Sequence, residues 1–160
     1  VQPLAIYLRD HLAISTAGLE LAKRTQHANR RHADFGAPLA TVRDELEADR
    51  LTLLELMRRL GVEPDRVKEA AAWSAEKLGR LKLNGRLTGY SPLSRVLELE
   101  ALAMALAGQR RQWEALGRIP GARLDGVDVA RMLARTDEQA ARVGQLHARA
   151  TELAFATPPS

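Results

Sequence analysis

Four polar side chains recur inside stripes of apolar residues at helical spacing: His11, Asp49, Glu100 and His147. On one stretch Leu39, Val42, Leu46, Asp49, Leu53, Leu56 and Leu60 alternate by three and four, so Asp49 interrupts a seam. Near the C-terminus Val129, Leu133, Thr136, Ala140, Val143, His147, Ala150 and Ala154 place His147 within a stripe. Leu93, Leu97, Glu100, Met104 and Ala107 set Glu100 inward. His11 belongs to the set Leu4, Leu8, His11, Ser15, Gly18 and Ala22, or lies at the edge of Ala5, Leu8, Leu12, Ser15, Leu19 and Ala22. A buried carboxylate must be paired, hydrogen-bonded or metal-bound. Two imidazoles and two carboxylates therefore allow an unconventional site for Fe, Mn or Zn, or a set of polar pairs that fix helix register.

A second candidate is the run from Lys77 to Leu97, with five cations (Lys77, Arg80, Lys82, Arg86 and Arg95) and no Asp or Glu. Lys77, Arg80 and Lys82 fall in the last turns of one helical segment, where the dipole favours cations. The amides at the start of the next, around Ser91, face the same connection. With Arg86 and Tyr90 these groups can form a phosphate or carboxylate pocket, or meet an acidic helix or a second subunit. A dedicated nucleic-acid surface is not expected. Residues 62–123 hold 11 Lys or Arg against 7 Asp or Glu, too mild an excess for one.

Other chemistry has no support in the residue pattern. There is no Gly-x-Ser-x-Gly elbow and no glycine-rich phosphate loop. The absence of cysteine removes thiol catalysis, thiolate metal sites and disulfides.

The elements that must position these groups are helical. Ala, Leu, Arg and Glu dominate and aromatics make up 4%, a composition suited to helices. Five segments are read: about Pro3 to Arg31, Leu39 to Leu60, Pro64 to Leu83, Ser91-Pro92 to Leu116, and Asp125 or Asp128 to Phe155. Phe35-Gly36-Ala37-Pro38 is expected to turn the chain, and Gly61 to stop the second helix. Ser91 reads as an N-cap with proline at the first helical position. The expected fold is all-α, an antiparallel up-and-down bundle of about five helices. It forms one domain over residues 1–156, with a frayed tail at 157–160.

With these seams and inward polar groups, the chain resembles the ferritin-like superfamily, whose four long antiparallel helices project carboxylates and histidines onto a two-metal site. The resemblance covers the first, second, fourth and fifth segments. It departs from the family in its motifs. Ferritin-like di-iron sites use paired Glu-x-x-His, whereas the residues three before His11, His27, His32 and His147 are Leu8, Arg24, Asn29 and Gly144. The resemblance thus implies the architecture, and the missing Glu-x-x-His pairs leave out the family's ligand pattern for oxygen-activating di-iron chemistry.

From these readings a non-enzymatic binding or assembly protein is expected, a homodimer in the cytoplasm with no membrane segment. The alternatives are a metal or redox protein using the seam quartet, and an anion or nucleic-acid binder using Lys77 to Arg95.

Overall fold

The computed structural model describes residues 2–64, 89–120, 124 and 126–156. Their secondary structure is four helices: α1 (Gln2–Asn29), α2 (Gly36–Arg59), α3 (Pro92–Leu116) and α4 (Val129–Phe155). The helix expected over about Pro64 to Leu83 lies, beyond Pro64 itself, outside the described residues, as does the tail at 157–160.

Local chemistry sets the helix ends. Ser91 caps α3: its hydroxyl accepts from the Ser94 amide at 3.1 Å while the Ser94 hydroxyl accepts from the Ser91 amide. Asp128 caps α4 by accepting from the Arg131 amide at 3.0 Å. At the end of α2, Gly61 adopts φ 67°, which lets Val62 N–H reach the Met57 carbonyl and Gly61 N–H reach that of Arg58. This pair of bonds closes the helix, and Val62 and Met57 join the same apolar cluster. The α1–α2 connection is shorter than the sequence suggests. Gly36 and Pro38 already belong to α2, where an early proline is tolerated because its missing N–H has no intrahelical partner.

Residue pairs across the interfaces fix the directions. Gln26 meets Arg43 and Thr16 meets Arg50, so α1 and α2 run oppositely. His147 meets Glu100 and Asp137 meets Arg110, so α3 and α4 do too. Arg24 pairs with Glu98, and Gly18 abuts Ala105, which sets α3 against α1 in the same sense. Arg142–Glu45 and Gln139–Asp49 do this for α4 and α2. Around the bundle the order is α1, α2, α4, α3. Helices α2 and α3 run the same way, and of residues 60–91 between them only 60–64 and 89–91 are described.

The core consists of two apolar clusters. One gathers Leu19, Ala22, Phe35, Leu39, Val42, Leu46, Leu99, Leu102, Leu106, Val143, Leu146 and Ala150. The other gathers Leu8, Leu12, Leu53, Leu56, Met57, Trp113, Leu116 and Met132. Between them the sequence places Asp49 on α2, Gln109 on α3, and Thr136 and Gln139 on α4, all buried. The seam of α2 is the one read from spacing. That of α3 is not: its buried stripe is Val96, Leu99, Leu102, Leu106, Gln109, Trp113 and Leu116. Leu93 and Met104 are exposed instead.

Candidate functional site: the buried polar layer

Asp49 sits on the inner face of α2, 2% exposed, because the three–four spacing from Leu46 and to Leu53 carries it inward. Its Oδ2 accepts from Gln139 Nε2 at 2.7 Å and from Gln109 Nε2 at 2.9 Å. Gln109 Nε2 also faces the Thr136 hydroxyl at 3.1 Å and Gln139 Oε1 at 3.3 Å. Two amide hydrogens serve three acceptors, so one bond is shared. The Thr136 hydroxyl in turn donates to the Met132 carbonyl at 2.8 Å. The other carboxylate oxygen, Oδ1, faces Arg135 Nε at 3.2 Å without the alignment of a hydrogen bond. Arg135 enters from the bundle surface and also donates to the Glu45 carbonyl at 3.0 Å.

Burial pushes the Asp49 carboxyl above its ordinary value, against the opposing pull of Gln139, Arg135 and Gln109. The carboxylate thus ties α2 to both α3 and α4 through neutral donors, with one cation at the rim. A layer of this kind fixes the register of helices that apolar packing alone would let slide.

The remaining members of the quartet do not join it. His147 lies at the margin of the α4 stripe, where Gln139 and Leu146 take the buried positions expected of Ala140 and His147. Its Nε2 is 3.1 Å from Glu100 Oε1, an exposed pair between α4 and α3. Glu100 points outward, contrary to its inward reading. The stretch Leu97 to Ala107 is apolar almost all round, so spacing alone does not fix which face turns in. His11 is half-buried against Tyr7, ring centroids 4.4 Å apart, and burial holds its imidazole below the ordinary value while Asp10 opposes. Among the described residues no three His, Asp or Glu side chains are grouped to hold a metal ion.

Against family models, curated proteins and solved structures, the chain finds no match.

The second candidate, the basic run, is described only from residue 89 onward. Lys77, Arg80, Lys82 and Arg86 lie outside the described residues. Ser91 is engaged in its cap. Tyr90 donates its hydroxyl to Glu98 Oε2 at 3.0 Å and accepts from Asn29 Nδ2 at 2.7 Å; burial, first of all, pushes its phenol well above the ordinary value. Arg95 donates to Asn29 Oδ1 at 2.6 Å and lies over the Phe35 ring at 4.4 Å. Asn29 also donates to the Thr25 carbonyl, so both its amide hydrogens and its oxygen are used. Arg24 completes the group at Glu98 Oε1, 3.1 Å. Tyr90 and Arg95 therefore bind the end of α1 to the start of α3.

Sequence reasoning missed Gln109, Gln139, Glu98 and Asn29. The signal for Gln139 was present: Met132, Thr136, Gln139, Val143, Leu146 and Ala150 alternate as regularly as the stripe chosen. Neutral amides carry no charge that marks them in a sequence, although their burial needs partners equally. No helix among the described residues is long and apolar enough to cross a membrane.

Proposed function

We propose that the protein is a non-enzymatic helical bundle of ferritin-like architecture that works through binding or assembly, as a homodimer. The observation that carries the reading is the way Asp49 is held. Gln109, Gln139 and Arg135 occupy Asp49, the one Asp buried among the described residues, so its charge serves helix register and not a reacting group. Ferritin-like architecture is supported by two antiparallel pairs among the described helices, α1 with α2 and α3 with α4.

The dimer is supported by apolar side chains left on the α1–α3 side. Ile14 is 42% exposed beside Gly108, and Met104, one turn from Gly108, is 69% exposed. Exposed apolar surface of this kind favours a protein partner. Sedimentation velocity over a range of concentrations tests the proposal. A dimer that dissociates on Met104→Glu with Ile14→Glu is the expected result. A monomer at every concentration, or turnover by the isolated protein, would overturn it.

A further inference from the structure

The Asp49 layer joins α2, α3 and α4 but not α1. Beside it lies a small cavity of about 10 Å³ whose lining includes His11, Ser15 and Gly18 of α1, Gln109 and Gln112 of α3, and Leu46 of α2. Two of its lining residues carry a buried polar atom with no hydrogen-bond partner in the protein: Nδ1 of His11 and Nε2 of Gln112. Gln112 is 2% exposed, so its amide is far from bulk solvent, and leaving such a donor unmade is costly.

The geometry points to this cavity as a binding site for a single water molecule that bridges His11 on α1 and Gln112 on α3. The size matches one water, which needs roughly 10–15 Å³ and two to four polar partners. Chemistry selects water over an ion. Gln112 presents an N–H, which repels a cation, and an anion would need a positive partner where burial disfavours the imidazolium. Water both accepts and donates, so it meets the Gln112 amide and either tautomer of His11. Gln109 lines the same cavity and donates to Asp49, so the bridged water sets α1 against the polar layer that fixes the other three helices.

The test is water-selective NMR on the full chain, with the Gln112 side-chain amide assigned. The expected result is a cross-peak from that amide to a long-lived internal water. Magnetic relaxation dispersion should then count one fewer such water in Gln112→Met. A wild-type amide without a water cross-peak would overturn the proposal. So would an unchanged water count in a folded Gln112→Met. If that variant fails to fold, the wild-type cross-peak decides alone.

Discussion

Gln139 on α4 donates to Asp49 on α2 at 2.7 Å, across 90 residues of chain and with neither side chain reaching solvent. That bond is the inner half of a layer which separates two apolar clusters, and it makes the pairing of α2 with α4 specific. Apolar stripes alone accept neighbouring registers; a buried carboxylate accepts only the one that supplies its donors.

Gln139→Leu removes that donor and leaves Gln109 as the only amide on Asp49 Oδ2. The expected loss is about 1–3 kcal/mol of unfolding free energy, the cost of a buried polar group left short of partners. Denaturant titration of both proteins measures it. Replacing Asp49, Gln109 and Gln139 together by Leu or Met should cost much less than the three single changes summed, because no orphan remains.

The pH dependence carries a definite sign. Burial raises the Asp49 carboxyl above its ordinary 3.8, so the folded state holds the proton more tightly than the unfolded chain. Its contribution is therefore full below pH 3.8 and is lost as pH rises through the folded-state midpoint. Relative to Asp49→Asn, the wild type should lose stability over that window. Denaturation of the two proteins from pH 3 to 7 checks it, and a difference that stays flat or grows with pH contradicts the assignment.

Ser91→Ala breaks the capping box of α3 and should cost about 1 kcal/mol. Tyr90→Phe removes the hydroxyl between Asn29 and Glu98, leaving two buried groups short of a partner, and should cost a further 1–2 kcal/mol or about that. Thermal denaturation of the single and double variants separates the two effects.

The glycines distinguish close approach from plain helix surface. A Cβ on Gly18 would meet the Ala105 Cβ at 3.3 Å, so Gly18→Val should wedge α1 from α3 and destabilise by about 1–3 kcal/mol. A Cβ on Gly144 would meet nothing within 4 Å. Gly144→Ala should stabilise α4 by about 0.5–1 kcal/mol. Melting curves read both.

Helix content and most helix ends were legible because their signals are local. Ser91-Pro92, Asp128 and Gly61 act within a few residues of themselves, and all three mark helix ends. Asp49 was legible as a core residue because Leu46, Leu53 and Leu56 flank it on a helix with one apolar face. Glu100 was misplaced because α3 is apolar on several faces, and only its packing on α1 and α4 decides which one turns in. What Asp49 touches was not legible at all. Gln109 and Gln139 lie 60 and 90 residues away, and no local rule carries an amide that far.

As a structural tie and not a metal ligand, Asp49 should be indifferent to metal. Unfolding of wild type and Asp49→Asn, first stripped with chelator and then supplied with Fe²⁺, Mn²⁺ or Zn²⁺, tests it most directly. The predicted result is a loss of about 1–3 kcal/mol in the variant that is the same with and without metal, and a wild-type stability that metal leaves unchanged. A stoichiometric metal that stabilises the wild type and no longer binds Asp49→Asn would contradict it.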